Sequence, residues 1–220
     1  MANPFDNISE KNIKKIIQLI EGHTFKYGPN EDIIPTIRTD SMIGIILDGM
    51  CEIVHHDYKG NRIVTETLTE NSIFGTDISL INNKDYQIIT REKTTILTFD
   101  YMILTRRDNI EKPYYNEFML NMFDIINNKI KEKNERIKIL SNKTIRNKLL
   151  EFFSIERKKT HSRNIYLPHN YSDLANYLSV DRAAMTRELS FMKEEGFIET
   201  KGKRITILYD EDLKNRNQYY

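Results

Sequence analysis

Cysteine is nearly absent from this 220-residue sequence, where Cys51 stands alone. A single cysteine excludes an intrachain disulfide framework and a four-cysteine zinc or iron–sulfur site within one chain. In a strand-like segment it reads as a small buried apolar residue rather than a redox sensor. Long apolar runs are missing as well, so no segment is expected to span a bilayer. Met1 to Ser9 is polar, with no Arg-flanked apolar run, and a cytoplasmic location is expected. The signatures of catalysis are also lacking. There is no glycine-rich phosphate loop, no nucleophile elbow and no His-Glu-x-x-His, so the chain is not expected to be an enzyme and offers no catalytic residue.

Charge of one sign is scarce overall, the net value being +1, but it is unevenly divided. Between Ser141 and Leu208 there are 13 Lys and Arg against 8 Asp and Glu, a surplus of five positive charges, so the rest of the chain carries four net negative ones. A basic C-terminal third on an acidic body suggests that an anionic partner meets that third. The remaining composition, 39% hydrophobic and 30% charged, is that of a globular chain. Its length admits one large domain or two smaller ones.

Periodicity changes three times along the chain. Ile13, Ile16, Ile17 and Ile20 have helical spacing, which predicts a short amphipathic helix over Asn12–Ile20, ended by Gly22. From Phe25 to Thr98, β-branched and aromatic residues come in short runs: Met42–Leu47, Met50–His56, Arg62–Leu68 and an interrupted Gln87–Phe99. Turn signals separate them at Asp48-Gly49, Tyr58-Lys59-Gly60-Asn61 and Glu70-Asn71-Ser72. Asp-Gly predicts a hairpin, and the whole predicts an antiparallel β-roll or barrel. From Pro113 the pattern is again helical. Met119, Phe123, Ile126, Ile130, Lys133, Ile137 and Leu140 follow spacings of 4, 3, 4, 3, 4 and 3, a heptad seam with one polar member. A helix packed on its own domain is one reading. The strict 3.5-residue period favours the other, pairing with a second copy.

Thr144 to Arg157 predicts a further helix, with Ile145, Leu149, Phe152 and Phe153 on one face, and Ile165-Tyr166-Leu167 a short strand stopped by Pro168. Asn170 and Asp173 then form a capping-box-like pair opening a helix through Ser172 and Leu178. Ser179-Val180 breaks it. Asp181 caps a second helix, Arg182 to Glu195, which Gly196 closes. Two short helices joined this way form a helix-turn-helix, whose second helix enters the major groove by its N-terminal end. Arg182 and Arg187 lie near that end, five residues and therefore about 140° apart. An arginine fork can grip guanine O6 and N7 together. Ala183 and Thr186 share the exposed side. Phe197–Thr200 and Arg204–Leu208 predict a hairpin wing around Lys201-Gly202-Lys203, whose lysines would hold phosphate.

This order of elements resembles the cyclic-AMP receptor protein/Fnr (Crp/Fnr) family over nearly the whole chain. The most specific stretch is Leu178-Ser-Val-Asp-Arg-Ala-Ala-Met-Thr-Arg-Glu-Leu189, followed by Gly196-Phe-Ile and the Gly202 wing. The resemblance implies an α+β fold with an N-terminal β-roll of the cyclic-nucleotide-binding-like jelly-roll type (1–112), a long dimerisation helix (113–141) and a C-terminal winged helix-turn-helix (142–220). It matches Arg182 and Arg187 to the family's base-contacting arginines. The family often has glutamate after the first arginine. Here Ala183 cannot accept from cytosine N4, so the operator is expected to differ there. The usual glycine of the turn is Ser179. The candidate DNA contacts are Ser172, Arg182, Ala183, Thr186, Arg187, Lys201 and Lys203. The candidate dimer interface is Met119, Phe123, Ile126, Ile130, Ile137 and Leu140. The implied function is a homodimeric transcription regulator. Its partners would be double-stranded DNA with a palindromic operator, a second copy, RNA polymerase and an unidentified small-molecule effector, with no membrane. The alternative is a small-molecule receptor or protein-interaction module whose helix-turn-helix does not bind DNA.

The sensor half resembles the family through Leu47-Asp48-Gly49 and Asn71-Ser72-Ile73-Phe74-Gly75, but its ligand cassette is broken. Members that bind cyclic nucleotides carry glutamate after the glycine and an Arg-Ser or Arg-Thr pair for the phosphate. Here Gly75 precedes Thr76-Asp77, and Tyr86-Gln87 occupies the Arg-Ser place. A cyclic phosphate buried without its arginine is an unpaired anion, so tight cyclic-AMP binding is not expected; Arg91 nearby is the one candidate substitute. Other cofactors fare no better. His55 and His56 face opposite ways on a strand, and Cys51 and His55 share a face about 13 Å apart, too far for one metal. No cofactor and no metal are implied, although haem ligation by one of the five histidines is left open.

Overall fold

The structure is a computed structural model that describes residues 3–37, 41–56, 58, 60, 62–75, 86–106, 112–167 and 171–208. The chain divides into two compact units, residues 1–128 and 129–220, with the boundary inside one long helix.

The first unit opens with helix α1 (Glu10–Leu19) and continues through β1 (His23–Tyr27), the single turn α2 (Ile34–Ile37), β2 (Met42–Asp48), β3 (Cys51–His56), β4 (Arg62–Leu68), β5 (Ile73–Gly75), β6 (Tyr86–Thr90) and β7 (Thr94–Asp100). A 3₁₀ turn (Tyr101–Thr105) follows, capped by the Asp100 carboxylate, which accepts from the Met102 N–H. The strands form two antiparallel sheets, in the orders β1-β7-β2-β5 and β4-β3-β6. The run Met42–Ile46 is buried without interruption. The reason is that its sheet is covered on both faces. Met42 and Ile46 face the roll interior with Ile53, Phe74, Ile88 and Ile96. Ile43 and Ile45 face a helical layer made by Ile16 of α1, by Ile20 at its C-cap and by Tyr115, Phe118 and Met122 of α3 (Pro113–Leu140). Gly44 is required between them: a Cβ there would stand 2.2 Å from Cζ of the buried Phe74 ring.

One expectation needs correction here. Asp48-Gly49 does not turn a hairpin. β2 and β3 belong to different sheets, and the dipeptide carries the chain from one to the other. Only Gly49 has positive φ, at 92°, and a Cβ on it would lie 2.5 Å from the Lys93 carbonyl oxygen. The helix expected over Asn12–Ile20 spans Glu10–Leu19 and ends before Gly22, in a Schellman motif whose left-handed residue is Glu21, at φ 50°, with Glu21 N–H donating to Gln18 C=O and Gly22 N–H to Ile17 C=O. β3 and β4, the strands on either side of the expected Tyr58–Asn61 turn, pair antiparallel, while Lys59 and Asn61 lie outside the described residues. Thr76 and Asp77 lie outside the described residues.

The second unit holds the C-terminal part of α3, then α4 (Ile145–Thr160), β8 (Asn164–Tyr166), α5 (Tyr171–Leu178), α6 (Arg182–Glu194), β9 (Ile198–Lys201) and β10 (Arg204–Ile207). Thr144 caps α4 through its hydroxyl, which accepts from the Asn147 N–H at 3.1 Å. The helix runs one turn past the expected Arg157. Lys158 and Lys159 lie in its last turn, where cations oppose the negative end of the helix dipole. The sheet order is β8-β10-β9, all antiparallel. One core joins Ile139, Leu149, Phe152, Phe153, Leu174, Leu178, Met185, Leu189 and Ile205.

Candidate nucleic-acid interface

The α5–turn–α6 joint forms because each helix end is satisfied locally. Ser179 takes the left-handed conformation at φ 51°. Its N–H donates to the Asn176 carbonyl and the Val180 N–H to the Ala175 carbonyl, a Schellman motif without its customary glycine. The Lys148 ammonium adds a third donor, to the Leu178 carbonyl at 3.1 Å. Asp181 caps α6, its carboxylate accepting from the Ala184 N–H at 2.8 Å. Gly196, at φ 72°, closes α6 with the same two-bond motif. Asn170, expected to cap α5, lies outside the described residues.

α6 is then locked against α4 by Arg146. Its Nε donates to Glu188 at 2.5 Å and its two terminal nitrogens to the two Glu195 oxygens at 2.8 Å each. The guanidinium also lies 6.0 Å from the Phe197 ring centre. These bonds hold the Glu195 carboxyl below the usual glutamate range and push the Arg146 pKa up. Arg146 thereby pairs with both Glu188 and Glu195. Along one stripe α6 exposes Arg182, Ala183, Thr186, Arg187 and, one turn on, Ser190, a residue the sequence reading missed; Phe191, Lys193 and Glu194 are exposed nearer its C-terminal end. Thr186 donates its hydroxyl proton to the Arg182 carbonyl and Ser190 to that of Thr186. With its proton so engaged, each hydroxyl oxygen keeps its acceptor capacity. Neither Arg182 nor Arg187 has a carboxylate partner among the described residues.

The wing is a two-residue turn, Gly202-Lys203, between Lys201 and Arg204, which pair directly. Gly202 has φ 60° in the first turn position, as a tight hairpin requires. Lys201, placed in the turn by sequence, is the last residue of β9. Lys201 and Lys203 are exposed and Ser172, in the first turn of α5, is half-buried.

The long helix α3 runs Pro113–Leu140, against the 113–141 expected of it. On it Phe123, Ile130 and Ile137, seven residues apart, are 62%, 52% and 61% exposed. Met119 and Ile126 are half-buried against the core of their own unit, and Leu140 is half-buried too. Leu120 is exposed beside Phe123.

In the roll, Gln87 donates through its amide to Asp32 at 3.2 Å, and Tyr86 stacks on His55 with ring centres 5.3 Å apart. Arg91 is ion-paired with Glu52, on the face of β3 opposite Cys51 and Ile53. Arg62 grips the same carboxylate at 2.6 Å. Cys51 is buried, and burial pushes its thiol up to about 11, far from a reactive thiolate. Among the described residues no three His, Cys, Asp or Glu cluster as metal ligands, and no helix is long and apolar enough to cross a membrane.

Residues 146–216 match the family described as the Crp-like helix-turn-helix domain. Among solved structures, a CooA double mutant from Carboxydothermus hydrogenoformans is similar over 97% of this chain and 91% of its own, with 21% identity and a TM-score of 0.59. A CprK variant complexed with OCPA covers 95% of this chain and 93% of its own, at 14% identity and a TM-score of 0.66. A cyclic nucleotide-binding domain containing protein from Listeria monocytogenes EGD-e covers 90% and 98%, at 20% identity and a TM-score of 0.56. None of the curated proteins compared matches the chain. Residues 146–216 are thus similar to the Crp-like helix-turn-helix domain, and the chain as a whole has the fold of these Crp/Fnr-type structures, a cyclic-nucleotide-binding-like roll followed by a long helix and the helix-turn-helix.

Proposed function

We propose that this Crp/Fnr-type DNA-binding regulator acts as a homodimer, each protomer laying α6 in the major groove over one half of a palindromic operator. The observation that carries the reading is the exposed stripe at the capped start of α6. Arg182 and Arg187 straddle the groove and grip guanine edges, Thr186 and Ala183 offer a hydroxyl and methyl groups to the bases between them, and Ser172, Lys201 and Lys203 hold backbone phosphates. The dimer seam runs along α3 through Met119, Phe123, Ile126, Ile130, Ile137 and Leu140. Lys133 is its one polar member, a device that fixes register and strand number at some cost in stability. The roll is the sensor. Its effector is not cyclic AMP: Tyr86-Gln87 replaces the phosphate-binding pair, and Arg91, the candidate substitute, is held by Glu52. RNA polymerase as a further partner, a non-catalytic role and a cytoplasmic location follow from the same reading.

The test is selection of bound duplexes from a random pool. The expected product is an inverted repeat whose half-sites lie about one helical turn apart, or a multiple of it. Binding to scrambled duplex should weaken steeply with salt. A pool that enriches no repeat, or a chain that binds no duplex at low salt, contradicts the proposal.

A further inference from the structure

The sheet that carries the wing presents a polar row that the base-reading helix does not use. Tyr166 on β8 lies opposite Arg204 on β10, and Arg204 lies opposite Lys201 on β9. The alternate residues Ile165, Ile198, Ile205 and Ile207 are buried in the core of the unit, so Tyr166, Arg204 and Lys201 share the outer face. The row abuts the Gly202-Lys203 turn. Tyr166 is 67% exposed, a large value for a tyrosine in a strand. Among the described residues none of Lys201, Lys203 and Arg204 has a carboxylate partner. The next row inward differs: Thr206 donates to the Asn164 side-chain oxygen at 2.8 Å, and Glu199 ends it with a negative charge. Within the three strands the cations, Lys201 and Arg204, therefore both lie at the tip end.

We infer that this row is a phosphate clamp in which Tyr166 and Arg204 join Lys201 and Lys203 on the DNA backbone. The inference rests on the reading of the C-terminal unit as DNA-binding. It makes the wing's grip three strands wide rather than a single turn. Two strand spacings separate Tyr166 from Lys201 by about 9–10 Å, so the row reaches along the backbone rather than to one phosphate. The arginine fork matches two phosphate oxygens, the tyrosine hydroxyl donates one further bond, and the lysine supplies a point charge. None of these contacts reads a base, so they raise affinity on every sequence alike.

The experiment measures binding of the full chain to operator and scrambled duplexes over a salt series, for Arg204→Gln, Arg204→Lys and Tyr166→Phe, with Arg182→Ala as the reader control. Arg204→Gln is expected to weaken both duplexes by the same factor and to lower the salt slope by about 0.9 per protomer, while Arg204→Lys keeps the slope. Tyr166→Phe is expected to weaken both duplexes equally with the slope intact. Melting temperatures should stay at the wild-type value. If Arg204→Gln lowers the melting temperature, Tyr166→Phe decides: equal loss on both duplexes upholds the clamp, and no loss overturns it. Wild-type affinity and slope for all three variants, with operator binding still lost in Arg182→Ala, overturn the clamp alone. A wild-type chain that binds neither duplex overturns the clamp and the DNA-binding reading together.

Discussion

An Ile130→Glu substitution separates association from folding, because Ile130 is 52% exposed in the single chain. Full burial of a large aliphatic side chain contributes about 1.5–3 kcal/mol. Covering the exposed half of Ile130 is therefore worth about 1 kcal/mol from each protomer, about 2 kcal/mol for the pair. In the proposed α3 seam the substitution would remove that and set two carboxylates against each other, and an uncompensated buried charge costs about 3–5 kcal/mol. The sum, about 5 kcal/mol or more, raises the dimer Kd by about three to four powers of ten. Light scattering across a dilution series reads the mass, and circular dichroism checks the fold. The expected outcome is a monomer with native secondary structure. Ile137→Glu should behave the same way. Ile139→Glu, at a fully buried position, should instead damage folding of the second unit. Wild-type dimer mass in both seam variants refutes the pairing of α3.

Three further outcomes test the local physics. Gly44→Ala drives a methyl group to 2.2 Å from the buried Phe74 ring, and should cost about 1–3 kcal/mol or more in denaturant melts. Ser179→Gly removes a left-handed penalty of about 1–2 kcal/mol for a non-glycine residue against a glycine entropy cost of about 0.5–1 kcal/mol; a small gain in stability is expected, and a loss contradicts the motif. Arg146 depresses the Glu195 pKa, so the stabilisation is complete above the ordinary glutamate value of about 4.3 and is lost as pH falls through it and below. Arg146→Gln should lower the melting temperature at neutral pH and flatten its decline on the acid side.

The parts of the fold that were legible in sequence are those whose physics is local. A proline start and an unbroken 3.5-residue period define α3 from Pro113 to Leu140. Asp181 and Gly196 mark the ends of α6 by chemistry that needs no tertiary partner. What was missed depends on contacts between distant residues. β1, His23–Tyr27, is an edge strand of largely polar residues, and β5 is only three residues long, so neither has enough alternation to announce itself. Asp48-Gly49 has hairpin chemistry, yet the identity of the next strand's sheet decides where the chain goes. The Tyr166–Arg204–Lys201 row exists only through cross-strand register, and the Arg146 lock only because residues 42 and 49 positions away fold back on it. Glu21 and Ser179 show the opposite failure: both adopt the left-handed conformation that glycine would have signalled.

The division of labour between α6 and the wing is tested most directly by binding isotherms of Arg182→Ala and Arg187→Ala on the selected operator and on its scrambled counterpart. Each arginine, if it holds a guanine edge, should cost about 1–3 kcal/mol on the operator and relax choice at one base pair per half-site, with a smaller loss on scrambled DNA. Lys203→Ala should weaken both duplexes about equally and lower the salt slope by about one. Equal losses on the two duplexes for both arginine variants would mean that α6 is not the reader.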